Sequence, residues 1–343
     1  MRARLCAISM AAAGAALACG CFGPDPAARA ARSGARAEIV WPEPPDRARI
    51  RYVGSVESPA DLGIETGVLS RAVRLITGRD DGRFVRPHAV AAGGGLLAVA
   101  DPGAGGVHLF DTVRNSYAFV PGASGGSFGS PVGVAVWGEN VFVSDSERNI
   151  VALIDRQGAA VREIGGGAGL RRPAGLALGE GGELYVADAG NHRICVFSID
   201  GAMLRQFGGR GTGPGQFNFP TNLWYDGLRR RLFVADALNF RVQVFDPSGA
   251  FTGAFGEPGD RPGYLARPRG VATDSDGNVH VVDALFDAVQ IFNPEGALLL
   301  GYGRRGADAG EFWLPAGIHA GSDDRIYVAD SYNRRVQIFA YLH

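Results

Sequence analysis

The chain has 343 residues, 46% of them hydrophobic, with 52 Gly and 19 Pro: enough apolar content for a packed core, and too much Gly and Pro for a helical bundle. It contains no Lys, so all 34 basic residues are Arg, which removes Schiff-base chemistry, a pyridoxal-phosphate anchor and the P-loop lysine. A formal net charge of -1 gives no global basic footprint for nucleic acid, and the length implies two domains or a repeat array.

Arg2 and Arg4 precede an apolar run from Leu5 to Leu17, followed by Ala18-Cys19-Gly20-Cys21. A short basic region and an apolar stretch too short to cross a bilayer predict an export signal over residues 1–18. The boundary resembles a bacterial lipoprotein lipobox with Cys19 or Cys21 as the lipidated residue, which implies a protein held at the cell envelope by a lipid anchor alone. Residues 19–38, rich in Ala, Arg, Gly and Pro, read as a flexible tether. Cys6 belongs to the signal, so Cys195 is the one cysteine of the folded part and reads as a small buried hydrophobe in a strand.

A lone strand is expected over residues 49–56. In the insertion that follows, 59–83, Thr66 reads as the cap of a short helix. That helix would carry Val68, Leu69, Ala72, Val73, Leu75 and Ile76 on one side and stop at Gly78.

From there the chain repeats. A Pro opening an apolar strand recurs at Pro87, Pro131, Pro173, Pro220, Pro268 and Pro315, spaced 44, 42, 47, 48 and 47 residues apart. An Asp closing a second strand recurs in step at Asp101, Asp145, Asp188, Asp236, Asp283 and Asp330. Each copy holds four short strands separated by turn signals such as Ser248-Gly249 and Glu295-Gly296. Four-stranded units with a period in the forties are propeller blades, so the expected fold is an all-β, six-bladed β-propeller over residues 39–343. Its blades begin near residues 84, 130, 172, 219, 267 and 314. The sixth copy stops at His343, directly after its third strand, so the strand at 49–56 is expected to complete blade six and close the ring.

The segment Val186-Ala-Asp-Ala-Gly-Asn-His-Arg-Ile-Cys-Val-Phe197 resembles the signature of the NHL repeat family. The likeness covers residues 84 to 341 and is sharpest in copies 3, 4 and 6, where Asn and Arg follow the Asp at fixed offsets: Asp188-Asn191-Arg193, Asp236-Asn239-Arg241 and Asp330-Asn333-Arg335. Six equivalent Asp mean six equivalent structural tasks, so these carboxylates are assigned to the fold, accepting hydrogen bonds from turn amides or the Arg.

Blade topology places the turns after each Asp and the crossings around each Pro on one face. The residues before the Pro are Arg86, Ser130, Arg172, Phe219, Arg267 and Leu314. Together with His88, Asn222 and Arg269 they make the mouth of the central channel a candidate site for a carboxylate, phosphate or acidic loop, built from Arg86, His88, Arg172, Asn222, Arg267 and Arg269. A second candidate is apolar. Leu238, Phe240, Leu285, Phe286 and Tyr332 on the turns of blades four to six, with Phe219 and Trp313 at the crossings, form an expected interaction surface.

Two generic motifs fail on context. Gly122 to Gly126 around Ser124 matches a hydrolase elbow, and Gly301 to Gly306 a dinucleotide fingerprint, yet both fall at blade crossings that open no helix. An amidating lyase among similar propellers binds zinc through three channel histidines. Here the positions matching His88 carry Val132, Ala174, Thr221, Arg269 and Ala316, and His319 falls at another register, so no metal and no cofactor are expected. The expected function is binding by a monomer, with an envelope protein, peptide or anionic ligand as partner and no nucleic acid. The alternative is a metal-dependent lyase or lactone hydrolase with its site at the channel.

Overall fold

The computed structural model describes residues 38–64, 82–123, 126–165 and 167–343. Residues Ile39–His343 form a compact unit. Among the described residues, five sheets are four-stranded, one is five-stranded and a two-stranded ribbon pairs Gly122–Ala123 with Gly126–Ser127. Within each blade the strands follow one another antiparallel, as in blade three: Pro173–Leu178, Glu183–Asp188, Arg193–Ser198 and Met203–Gly208. The six innermost strands touch one another in a closed circle. The protein is therefore a six-bladed β-propeller.

The third turn of blades two to five is set by glycine. Gly158, Gly201, Gly249 and Gly296 have φ between 87° and 94°, and next to each the ladder register slips by one residue. This is a turn closed by a glycine bulge, which any L side chain would strain.

The hydrophobic effect acts between blades more than within them. Six buried clusters occupy the six seams; one joins blade three to blade four through Tyr185, Val196, Phe217 and Phe245. Another joins blade six to blade one through Val56, Val99, Phe110 and Val336. The innermost strands approach so closely that a Cβ on Gly133, Gly175, Gly270 or Gly317 would lie 2.2–2.7 Å from backbone atoms of the next blade. That explains a Gly two residues after the Pro in four of the six copies.

The closing strand forms where the sequence places it. Ile50–Val56 pairs antiparallel with Arg335–Tyr341, from Ile50 opposite Tyr341 to Val56 opposite Val336. Sequence reasoning missed a fifth strand, Val40–Trp41, outside it. The Trp41 ring lies 5.9 Å from both Tyr302 and Phe339, so this strand is held by aromatic packing. In the insertion, Pro59–Leu62 forms one 3-10 turn. Ser124, the helix expected from Thr66 to Gly78, the signal expected over residues 1–18 and all but residue 38 of the expected tether 19–38 lie outside the described residues.

Candidate functional site

The face that carries the functional candidates is built by the repeated Asp. All six are fully buried, and each accepts hydrogen bonds from backbone amides of the crossing that enters its own blade. In blades three, four and six the carboxylate is also clipped by side chains. Arg241 Nε donates to Asp236 at 3.0 Å and Asn239 at 2.8 Å, while both reach back to crossing carbonyls of Gly211, Thr212 and Gly213. Arg335 and Asn333 repeat this around Asp330. Blades two and five lack Asn and Arg at those offsets from the Asp. There Asp145 and Asp283 each take two crossing amides and two amides of their own turn instead. The carboxylates are thus consumed by the fold, as the sequence implies. Cys195 is a buried strand residue whose thiol is pushed up to about 12 by burial, which leaves it inert.

A second pattern links neighbouring blades. Arg172, Phe219 and Leu314 precede a Pro and yet have φ of 51°, 56° and 48°, a conformation that non-glycine residues seldom adopt. In each case the N–H donates to a side chain on the turn of the preceding blade: Asn149 Oδ1, His192 Nδ1 and Asp287 Oδ1 respectively. In the other blades the matching turn residue is Gly105, Phe240 or Arg334, none of which offers an acceptor, and Ser130, Arg267 and Arg86 donate to their own Asp. The strain is therefore placed by the acceptor. The Arg86, Arg172 and Arg267 series is not one uniform ring: Arg172 has a different backbone from the other two.

The channel mouth is framed by the residues after the Pro. Thr221 Oγ1 lies 3.4 Å from the Arg269 carbonyl. Arg269 Nη1 lies 3.3 Å from His88 Nε2, and His88 Nδ1 lies 2.8 Å from the Val132 carbonyl. A carbonyl only accepts, so Nδ1 carries the His88 proton and Nε2 accepts from Arg269. This chain spans blades four, five, one and two. Asn222, also expected at the mouth, lines the channel, but its Oδ1 is taken by the Val271 amide of the next blade.

Below the mouth the inner strands enclose a cavity of about 150 Å³. The fourth residue after the Pro is Ala in blades one, two, three and five but Trp224 and His319 in blades four and six. Trp224 donates to Thr273 Oγ1 at 2.8 Å, and its ring meets His319 edge-on at 5.3 Å. Sequence reasoning passed over this pair; the break in a column of alanines is the signal that marks it. Among the described residues there is no cluster of three or more His, Cys, Asp or Glu arranged for a metal.

Both channel imidazoles are held down to about 4. Burial is the larger cause for each, and the Arg269 charge adds to it at His88. In the unfolded chain they titrate near 6.5. Between these values the unfolded chain binds more protons, so stability falls as pH drops from 6.5 towards 4. Asp330, raised by burial, works in the opposite sense. The expected result is that a His88→Gln, His319→Gln double variant has a flatter dependence of Tm on pH across this window than the parent; an unchanged slope would refute it.

Of the apolar surface, Leu238, Leu285, Trp313 and Tyr332 are 44–56% exposed, whereas Phe219, Phe240 and Phe286 are half-buried. The Phe219 ring packs edge-on against His192 at 4.8 Å, and Trp313 packs on Tyr332 at 5.6 Å.

The NHL repeat matches residues 170–197 and 312–339. Human NHL-repeat-containing protein 4 is 36% identical over 104 residues, covering 30% of this chain and 82% of that protein. The Caenorhabditis elegans RING finger protein nhl-1 is 40% identical over 78 residues, 23% of this chain but 7% of its own length. Three solved structures share the fold at low identity. Virginiamycin B lyase from Staphylococcus aureus is 14% identical with a TM-score of 0.56, over 75% of this chain and 96% of that one. The XC5397 gluconolactonase from Xanthomonas campestris is 15% identical with a TM-score of 0.58, over 84% and 95%. An auxiliary nutrient binding protein from Bacteroides thetaiotaomicron is 12% identical with a TM-score of 0.59, over 77% and 71%. Enzymes and binding proteins thus share this scaffold, and the repeats carry the kinship: the chain belongs to the NHL-repeat family.

Proposed function

We propose that this propeller is a binding module of the cell envelope, exported and lipid-anchored through Cys19 or Cys21, that presents its Asp-clipped face to a protein or peptide. The observation that carries this reading is the column two residues after each Asp. It holds Gly103, Glu147 and Gly190 in blades one to three, but Leu238, Leu285 and Tyr332 in blades four to six. These three are exposed, and Trp313 stands beside Tyr332. Large apolar groups on exposed turns cost solubility unless a partner covers them, and turns already fixed by buried carboxylates lose little entropy on docking.

The test is a Leu285→Ser, Trp313→Ser, Tyr332→Ser variant of the lipidated protein, assayed by crosslinked pulldown from envelope extract. The expected outcome is a Tm within a few degrees of the parent and loss of the captured partner. Unchanged capture would end the surface reading. A second reading, a metal-dependent lyase or lactone hydrolase, is favoured by two histidines, His88 and His319, in one channel. Stoichiometric zinc or calcium in the purified protein would replace the binding reading with this one.

A further inference from the structure

We propose that the channel mouth is a carboxylate-binding site centred on the guanidinium of Arg269, with Arg86 and Arg267 at its rim. Arg269 is half-buried, and among the described residues it makes no ion pair with a carboxylate. Its one side-chain hydrogen-bond partner there is the His88 imidazole. That imidazole is neutral at physiological pH, because burial and then the Arg269 charge hold it down to about 4, and it donates its Nδ1 proton to the Val132 carbonyl. A guanidinium placed against a neutral ring, with the Arg267 charge acting on it, is a half-buried charge with no counter-ion.

The electrostatics agree with the geometry. Burial and then the Arg267 charge lower the Arg269 pKa, so these two cations feel one another, and the charges of Arg269 and Arg86 both lower His88. The repeat Asp of blades one and five offer no relief: Asp101 and Asp283 accept the backbone amides of Arg86 and Arg267 and are buried. Among the described residues every other buried or half-buried Arg has an acid partner. Arg156 and Arg335 pair with Asp111 and Asp330. Arg269 departs from that rule at the entrance of the central channel.

One Nη of Arg269 is used by His88, which leaves the edge formed by Nε and the other Nη. That edge is a planar pair of donors matched to the two oxygens of a carboxylate. A free small acid and the C-terminal carboxylate of a peptide share this chemistry. The site stands on the face assigned above to partner binding and rests on that reading only for which of the two sources applies.

Isothermal titration of the whole protein at low salt and neutral pH tests it, with succinate, N-acetyl-Gly-Phe, the carboxamide of that peptide, inorganic phosphate and a uridine decamer as probes. Succinate or the peptide acid is expected to bind with a Kd of about 1 mM or tighter. The carboxamide should not bind. Arg269→Gln should weaken the carboxylate at least about tenfold with Tm little changed. Arg261→Gln, at an exposed position, serves as the control and should bind as the parent does. The peptide acid binding more tightly than succinate identifies the peptide source, and the reverse identifies a free acid. Carboxylate binding that is undetectable, insensitive to Arg269→Gln, or weaker than phosphate or the decamer overturns the proposal. The Leu285→Ser, Trp313→Ser, Tyr332→Ser variant separates the two ideas: retained succinate binding with lost partner capture leaves both standing, and lost succinate binding in Arg269→Gln with unchanged capture in the triple variant leaves the mouth site without the apolar surface.

Discussion

A variant lacking residues 39–56 will melt at least about 10 °C below the parent, with a broadened transition. The deletion removes Ile50 and Val56, both buried in seams, each worth about 2 kcal/mol on transfer from water. It also strips the antiparallel ladder from Arg335–Tyr341 and uncovers Phe339, Tyr302 and Tyr341, which Trp41 and Tyr52 pack against or shield. Blade six then presents a long apolar edge, so concentration-dependent association should accompany the loss. Differential scanning calorimetry checks the first claim and light scattering the second. An unchanged Tm would show that the ring is held without this strand.

Replacing Asp236 with Ala should cost about 3–5 kcal/mol, because it strands the Arg241 guanidinium and orphans the Asn218 amide in one step. The companion experiment is Asp145→Ala. That carboxylate is equally buried but is met by backbone amides of Gly129, Ser130, Glu147 and Arg148 and by no guanidinium donor. Removing it leaves no stranded cation, so its loss should be about half as large. Chemical denaturation of both variants decides the matter. Equal losses would mean that the amides, not the Arg clip, carry the energy in blades three, four and six.

Much of the fold is legible in the sequence because it is periodic. Pro and Asp mark the same two points in every blade, and six copies in step leave little freedom in the count. The incomplete sixth copy, together with the lone strand at 49–56, points to the closure. What is not periodic is not legible. Val40–Trp41 has no counterpart in any other blade and is held by Tyr302 and Phe339, which are remote in sequence. The left-handed backbone at Arg172, Phe219 and Leu314 depends on what the neighbouring blade offers at Asn149, His192 and Asp287, a relation that no single repeat contains.

The candidate site follows the same division. The Asp-Asn-Arg clips repeat, and their structural role can be argued from repetition alone. The contact of Arg269 with His88 joins blade five to blade one across blade six, and only the closed ring creates it. The apolar column of blades four to six lies between these cases. Its residues occupy one repeat position, yet Phe240 and Phe286 beside it are half-buried, so the exposed set is narrower than the sequence suggests.

The pairing of Ile50–Val56 with Arg335–Tyr341 also dictates an order of events as the protein is made. Ile50–Val56 leaves the ribosome early, with only the short Val40–Trp41 beside it, and its other edge has no partner until Arg335–Tyr341 emerges. Blades one to five can form from contacts within or between consecutive repeats, whereas blade six must wait for both ends of the ring. Closure is thus the most non-local step in the molecule and the slowest to nucleate. Until it occurs, the chain carries two unpaired strand edges, and that interval is when it most needs protection from its own copies.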